Sequence, residues 1–351
     1  MVNPYTYYMT KLTVRVSMRR KGISRRDAVK FGAAAATFSI AGLAGCSSDA
    51  DQTVSLVSGP SDSAGYAMAQ GKASVINENT NYNLDTSPGS SNANVRDLAE
   101  GEVDIAFTQG NTASALVRDE EPFDQLDVEA RQLFHIYSVE YYPTTDHESW
   151  DTWEDIESGS TLSVGPAGSG VVDLMEAAFE IAVDDYDVTT AEFTEQASSL
   201  DENRLDTAIG ALVNETIEPG WIQENKGVVD LRALDIPDSL VPDLEESPLL
   251  NPVEVDTSHL EGWGHMPDSL TALPIGYSYI ATPDLDAEIV YDLLEALYDN
   301  TDDLASAHAM MEPYNEEFAL NLPFDGMPFH TGAAEFYEDR GVWDDDLEQA
   351  G

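Results

Sequence analysis

Cysteine is almost absent from this sequence. Cys46 is the only one among 351 residues, so the chain cannot form an intramolecular disulfide. The six histidines are scattered and lack the short spacings that are typical of zinc sites. A Gly-x-Ser-x-Gly nucleophile motif is also missing. We therefore expect no metal site, no cofactor and no catalytic residues.

Basic residues are scarce after residue 45. Residues 1–45 carry eight Lys/Arg and one acidic residue, whereas residues 46–351 carry eight Lys/Arg and 65 Asp/Glu, a net charge of −57. Because no basic patch remains to neutralise phosphates, we expect no nucleic-acid partner. Such an excess of acid is typical of extreme halophiles, archaea in particular, whose molar salt shortens the Debye length to about 3 Å. It also makes any acidic cluster weak evidence for a functional site.

The basic start of the chain is typical of an export signal. The segment Ser24–Lys30 contains the pair Arg25-Arg26, which is the twin-arginine signature, and an apolar stretch, Phe31–Ala44, follows it. That stretch is too short to span a bilayer. We expect residues 1–45 to be removed, although a membrane-anchoring helix is the alternative. Met18 fits the start of such a signal better than Met1.

The signal ends at the single cysteine. Leu43-Ala44-Gly45-Cys46 resembles a bacterial-type lipobox, in which the cysteine becomes the first residue of the mature protein and carries a lipid. This motif predicts an extracytoplasmic protein that is anchored to the outer face of the cell membrane by a lipid on Cys46. Residues 46–52 would then be a tether.

The rest of the chain alternates between strand and helix patterns, which favours βαβ units in an α/β fold. We predict two domains, each a doubly wound and mostly parallel sheet, with a ligand cleft between them. Leu270–Ile280 has a strand pattern and indicates that the chain re-enters the first domain there. The predicted domains are residues 53–140 plus 270–342 and residues 141–269.

Four segments carry motifs in a distinctive order: 87–109, Val164–Gly170, 285–308 and 328–337. Together they resemble the TAXI group of TRAP-transporter solute receptors. The resemblance implies a periplasmic-binding-protein-like fold and a receptor that closes on a hinge around a small organic anion or amino acid, glutamate-like or a dicarboxylate. It also implies a TRAP membrane permease as partner. Segments 58–66 and 206–219 depart from the family pattern.

The same segments supply the candidate ligand-binding residues. Gly168, Ser169 and Gly170 open a helix whose free N–H groups and dipole could hold a carboxylate, although a tight strand-to-helix turn would also explain these glycines. Elsewhere a capping role could explain Ser90, Ser91 or Asn92, and core packing could explain Tyr66. The complete predicted set lies at strand ends and helix starts: Ser63, Tyr66, Ser90, Ser91, Asn92, Gln109, Asn111, Gly168, Ser169, Gly170, Val213 and Asn214.

Three further residues are interpreted as structural or as surface. Glu218 could receive a ligand ammonium, but in so acidic a chain we expect it on the surface. Arg96 lies within a predicted helix and His330 in a C-terminal segment, and we expect both to be structural. Two other functions fit the same fold: a receptor for an ABC importer, and a binding-protein-like enzyme or sensory module.

Overall fold

The computed structural model describes residues 52–350, except 62, 127, 168, 248, 345 and 346. The predicted signal, the lipidation site Cys46, most of the tether and Gly168 lie outside the described residues. Asp49–Gly351 forms one compact unit.

The described residues alternate between strands and helices, as the sequence predicts. The strands are β1 (Gln52–Val57), β2 (Tyr82–Ser87), β3 (Ile105–Gln109), β4 (Arg131–Thr145), β5 (Thr161–Ser163), β6 (Asp187–Thr189), β7 (Ala208–Val213), β8 (Arg232–Ala233), β9 (Val253–Asp256) and β10 (Ser269–Ala281). The α-helices are α1 (Ala64–Asn79), α2 (Ser91–Ala99), α3 (Gly110–Val117), α4 (Gly170–Ala182), α5 (Gln196–Asp201), α6 (Gly220–Lys226), α7 (Val241–Glu245), α8 (Ala287–Tyr298), α9 (Thr301–Ala307) and α10 (Thr331–Arg340).

One large sheet runs through the molecule in the order β2-β1-β3-β10-β4-β7, with β8 beside β4 and β9 beside β10. Strands β1, β2 and β3 are parallel, and β5 and β6 form a separate parallel pair. The α/β class is confirmed. Strand β10 is antiparallel to β3, β4 and β9, and β4 is antiparallel to β7, an arrangement that the βαβ pattern alone does not indicate.

Strands β4 and β10 are longer than the strand patterns in the sequence, which cover Leu133–Val139 and Leu270–Ile280, and they join the two halves of the sheet. The N-terminal part of β4 pairs with β10, and its C-terminal part pairs with β7. Along its other edge, β10 pairs with β9 through residue 272 and with β3 from residue 277. Residues 273–276 of β10 therefore have an edge without a described strand partner.

Helices cover both faces of the sheet around β1, β3 and β10. Neighbouring residues of β3 belong to different cores: Phe107 packs with α1, α8 and α10, whereas Ala106 packs with α2 and α3. A further core contains α4 together with parts of β4, β7 and β10. Tyr277 packs against the first and the last of these cores. The boundaries proposed for the two domains stay a prediction.

Among the three residues that a capping role could explain, Ser90 is the N-cap residue of α2, and its side chain makes no described capping bond. The residues Val228–Ala233 have a strand pattern in the sequence, but only the last two form a strand, β8, because the backbone turns at residues 227 and 228 after α6.

Lys72 of α1 is a charged residue in the apolar core. Its side chain is buried, and no described residue offers its Nζ a hydrogen bond. The Nζ lies 4.8 Å from the ring centre of Tyr314 and 5.6 Å from that of Tyr279. Burial lowers the pKa of Lys72 from 10.5 to about 7, because the apolar surroundings disfavour the charged amine.

We predict that Lys72→Met stabilises the protein by about 1–4 kcal/mol at pH 7. The pKa of the folded state lies below that of the unfolded chain, so the unfolded chain binds more protons between pH 7 and 10.5. The stability of the wild type therefore falls as the pH drops through this range, and the variant should lose that slope. Denaturant unfolding at pH 7 and pH 10 in fixed KCl measures both effects.

The other buried lysine provides the control. Lys226 pairs with Glu218 at 2.8 Å, so Lys226→Met should destabilise the protein by leaving a carboxylate without its partner. Equal pH slopes in wild type and Lys72→Met would contradict the prediction.

Candidate functional site

Three strand–helix junctions lie side by side at one edge of the sheet. Because β1, β2 and β3 are parallel, their carboxyl ends meet there, and the N-cap residues of α1, α2 and α3 follow directly: Ser63, Ser90 and Gln109. The carboxyl edge of such a sheet is where α/β proteins bind ligands. The structure thus places eight of the predicted residues at or next to these junctions: Ser63, Tyr66, Ser90, Ser91, Asn92, Gln109, Asn111 and, by the contact described below, Gly170.

The first two junctions are tied together through the backbone. The N–H of Ser58 donates to the carbonyl of Ser87 at 2.9 Å, and the N–H of Gly89 donates to the carbonyl of Gly59 at 3.1 Å. These bonds fix the spacing of the two loops that precede α1 and α2.

The predicted residues at these two junctions differ in how free their side chains are. The Ser63 oxygen caps α1 by accepting from Tyr66 N at 3.2 Å, and its O–H, the only donor of the side chain, donates to Pro60 O at 2.7 Å. Tyr66 and Ser91 are half-buried. Ser90 is exposed and makes no described capping bond. Of the two N-cap serines, Ser90 is therefore the one whose hydroxyl remains available.

A side-chain bond links the second and third junctions. Asn92 Oδ1 accepts from the hydroxyl of Thr112 at 2.9 Å, and the neighbouring Asn111 Oδ1 accepts from Thr112 N at 2.9 Å. These bonds use only the amide oxygens, so the side-chain nitrogens of Asn92 and Asn111 remain free to donate to other groups. The two asparagines that sequence reasoning placed at separate helix starts thus lie on one continuous network.

The start of α4 contacts this edge of the sheet. A Cβ built on Gly170 would lie 2.8 Å from Gln109 Nε2 and 3.1 Å from Asn111 Nδ2. Ser169 is the N-cap residue of α4, and its hydroxyl accepts from Val171 N at a long 3.5 Å. The structure therefore brings Gln109, Asn111 and Gly170 together from distant parts of the chain.

Val213 and Asn214 end β7 beside β4. The N–H of Asn214 donates to Ser138 O and its Oδ1 accepts from Ser138 N, both at 3.1 Å. Its backbone is left-handed, with φ of 49°, and its Nδ2 is buried without a partner among the described residues. No described contact joins Val213 or Asn214 to Gln109 or Gly170, so this pair is placed at the long strand β4 instead.

A row of aromatic rings lies beside Gln109 on the same face of the sheet. Gln109 pairs with Tyr277 of β10, and Tyr277 pairs with Tyr137 of β4. The rings of Tyr137 and Tyr277 stack with centres 4.5 Å apart, and Phe107 stacks on Tyr277 at 5.5 Å. Burial raises the pKa of Tyr277 to about 12, so its hydroxyl stays protonated at neutral pH.

Sequence reasoning missed this tyrosine pair. Both residues are half-buried inside segments that read as ordinary core strands. They could be found only from the register that pairs Tyr277 with Gln109 and Tyr137 with Tyr277. The sequence does not give that register.

A cavity of about 450 Å³ adjoins Asn111. Its walls come from α3, α4, the segment after α7, the unpaired edge of β10 and residues 322–325. Asn111 is the residue of the predicted ligand-binding set that lines the cavity. The lining also includes Ser114, Leu174, Leu250, Ile275 and Phe324. A volume of this size can hold a small organic molecule.

No described cation contacts the residues that meet at Gly170. Among the described residues, no ion pair or hydrogen bond joins a Lys or Arg to Gln109, Asn111 or Gly170. Arg96 is exposed on α2. His330 caps α10: its Nδ1 accepts from Gly332 N at 3.2 Å and its Nε2 donates to Leu285 O at 3.0 Å. His330 therefore has the structural role expected of it, whereas the role of Arg96 stays a prediction.

The surface interpretation of Glu218 is wrong. Its side chain is only 10% exposed and accepts from Lys226 Nζ. It also accepts from Trp263 Nε1 at 2.8 Å. Because the chain is so rich in acidic residues, its composition gives no sign that Glu218 belongs to a buried ion pair. The ammonium group that Glu218 binds is that of Lys226.

Two features are absent from the described residues. No cluster of three or more His, Cys, Asp or Glu side chains is arranged to hold a metal ion. Within the same residues, no helix has the length and apolar character needed to cross a membrane.

Several solved structures are similar to this chain at low identity. MatC from Rhodopseudomonas palustris, solved with bound malate, is 12% identical over 74% of this chain and 88% of its own, with a TM-score of 0.43. A TctC solute-binding protein from Polaromonas is 13% identical over 73% and 87%, with a TM-score of 0.46. Substrate-binding domain 2 of GlnP from Lactococcus lactis is 14% identical over 76% and 96%, with a TM-score of 0.40.

At such scores these likenesses assign no ligand to this chain. No curated protein matches its sequence. The sequence does match a family description over residues 56–341, which is most of its length. The chain belongs to the NMT1-like family.

Proposed function

We propose that this protein is an extracytoplasmic solute receptor of the TAXI type, which binds a small organic anion or amino acid and delivers it to a TRAP membrane permease. The observation that carries the proposal is the contact of Gly170 with Gln109 and Asn111. This contact joins the start of α4 to the carboxyl ends of β1, β2 and β3, and a cavity of about 450 Å³ adjoins it.

The chemistry of these residues suits a carboxylate. At the start of α4, Val171 N donates to Ser169 Oγ at a long 3.5 Å and Val172 N donates to Ser169 O at 3.1 Å. The N–H of Gly170 has no described partner, and the helix dipole adds a partial positive charge there that favours an anion. The amides of Gln109 and Asn111 add donors, and the tyrosine hydroxyls of the aromatic row add more. Because no described cation contacts these residues, the helix end and neutral donors would have to bind the anion.

The two long strands support the proposed hinge closure. Strands β4 and β10 connect the β1–β3 part of the sheet with the part that contains β7, so bending within them would open and close the contact at Gly170. A solute that bridges both sides stabilises the closed form in proportion to its extra affinity for that form. The closed receptor would be the form that a permease recognises.

A thermal-shift screen of amino acids and organic acids in molar KCl tests the proposal. A ligand at about 100 times its dissociation constant stabilises a protein by about 2.7 kcal/mol. We expect L-glutamate, malate or a close relative to raise the melting temperature. If no compound of these classes does so, the proposed ligand class is wrong. Copurification from membranes then identifies the partner, since an ATPase in place of a many-helix permease would favour an ABC importer.

We propose that a lipid on Cys46 anchors the receptor, and we predict that Cys46→Ala releases it from the membrane or leaves it unprocessed. Cys46 is the only cysteine, so the loss of lipid label reports on this site alone. Arg25→Lys combined with Arg26→Lys should block export. The other arginine pair of the leader, Arg19 and Arg20, gives the matched control and should tolerate the same change.

Mass spectrometry of membrane-extracted protein checks the cleavage. A peptide that still contains Ala44-Gly45-Cys46 as an unbroken, unlipidated sequence would show that the predicted processing does not occur.

A further inference from the structure

Asn94 of α2 is a fully buried polar residue that the proposed binding mechanism does not use. It lies one turn into the helix, and its side chain is 0% exposed. Its Nδ2 donates to Ser58 O at 2.9 Å and to Phe107 O at 2.8 Å. A single amide group therefore joins α2 to the end of β1 and to β3.

These two carbonyls belong to the junctions that carry the predicted ligand residues. Ser58 follows β1 and its hydroxyl donates to Gly65 O at 3.1 Å, at the start of α1. Phe107 lies two residues before Gln109 in β3. Since Asn94 itself belongs to α2, which begins at the Ser90 junction, its side chain connects all three junctions.

The loop before α2 is fitted closely around the same side chain. A Cβ built on Gly89 would lie 2.1 Å from Asn94 Oδ1, an approach that no side chain could allow. Gly89 in turn donates to Gly59 O. The loop at Ser58 and Gly59 and the loop at Gly89 both contact the buried amide of Asn94 or each other. We therefore expect the position of this amide to determine the positions of both loops.

We infer that Asn94 is the positioning residue of the ligand site: it holds the three junctions at the spacing that binding requires. The inference rests on the proposed function. Without the two N–H donors of Asn94, the carbonyls of Ser58 and Phe107 would be buried without these partners. Unsatisfied buried carbonyls favour local opening toward water, so the junctions should loosen before the rest of the fold does.

Hydrogen–deuterium exchange of the whole mature protein, without added ligand, tests the positioning. In Asn94→Ala, we expect exchange to accelerate by about tenfold or more in three segments: 58–66, 87–92 and 107–111. Asn94→Ser, which keeps one donor, should show a smaller change in the same segments. The helices α8 and α10 should exchange as in wild type.

Asn225 gives a matched control. It is also a buried asparagine of a helix, 3% exposed, and its Nδ2 donates to a loop carbonyl, Phe193 O, at 3.1 Å. Asn225→Ala should accelerate exchange near residue 193 and leave the three junction segments unchanged. Any loss of melting temperature can then be compared between the two variants.

Affinity for L-glutamate and malate, measured by calorimetry where every variant is folded, completes the test. We expect Asn94→Ala to weaken the binding of whichever probe the wild type binds by about tenfold or more, and Asn225→Ala to bind as the wild type does. If neither probe binds the wild type, the proposed ligand class fails, while the exchange result still decides the role of Asn94.

The inference is overturned if the three segments exchange as in wild type, or if they loosen while affinity is unchanged. It is also overturned if both Asn94→Ala and Asn94→Ser fail to fold in molar KCl, because Asn94 would then be needed for the fold as a whole.

Discussion

Gly170→Val should lower the affinity for the solute by about 30-fold or more while leaving the sheet intact. The first atom of a side chain at this position would lie 2.8 Å from Gln109 Nε2 and 3.1 Å from Asn111 Nδ2. Both of these atoms end flexible side chains, so the clash can be relieved by moving the two amides. The cost to folding is therefore small, but the amides leave the place where they would contact the ligand.

The size of the expected effect follows from counting what is lost. Each buried donor that is left unpaired costs about 1–3 kcal/mol, and two displaced amides correspond to about 2–6 kcal/mol, or roughly 30-fold to more than 10,000-fold in affinity. Gln109→Ala removes one of the two and should cost about 1–3 kcal/mol, roughly 5- to 150-fold. Calorimetry at fixed KCl, with the compound found by thermal shift, ranks the variants.

Gly220→Val is the matched control. Gly220 is also the first residue of a helix, α6, but a Cβ added there meets no atom within 4 Å. It should bind the solute as wild type does. His330→Ala should lower stability through the lost cap of α10 without changing affinity. The site is misplaced if Gly170→Val and Gln109→Ala bind normally and His330→Ala does not.

The sequence predicted where the polar residues of the site lie along the elements, but not which of them meet. Gln109 and Asn111 follow an apolar strand, and Gly170 opens an apolar helix, so local patterns locate each one. Their contact depends on how α4 packs over the end of β3, which involves residues far apart in the chain. No local pattern carries that information.

The burial of Asn94 and the full length of β4 could not be predicted from the sequence, for different physical reasons. Asn94 lies within a helix, where an asparagine usually faces water, and its burial follows from the carbonyls that it binds. The full length of β4 was missed because Glu140 and Pro143 interrupt its apolar run, although both are buried in the strand. Burial raises the pKa of Glu140 to about 7, a cost that composition cannot reveal.

We propose that the protein is adapted to high salt, and we expect it to lose its structure when KCl is lowered from about 3 M to about 0.1 M. The Debye length grows from less than about 3 Å to about 10 Å over this range, so the repulsion among acidic side chains is no longer screened. Residues 46–351 carry 65 Asp/Glu and only eight Lys/Arg. Six of these cations form ion pairs among the described residues, which leaves most carboxylates without a cationic partner.

Melting curves followed by circular dichroism across KCl concentrations measure the effect, and α4 supplies a variant that tests its cause. Glu176 and Glu180 are both exposed on this helix, one turn apart, so they repel each other. Glu180→Lys turns that repulsion into an attractive pair in the favourable orientation and should raise stability by about 0.5–1 kcal/mol at the lowest KCl concentration at which both proteins still fold. At 3 M KCl the gain should nearly vanish, because screening has already removed the repulsion.

Two outcomes would contradict these predictions. A melting temperature that stays flat from 3 M to 0.1 M KCl would show that the stability of the protein does not depend on salt. An equal gain for Glu180→Lys at both KCl concentrations would show that the effect of this substitution is not electrostatic.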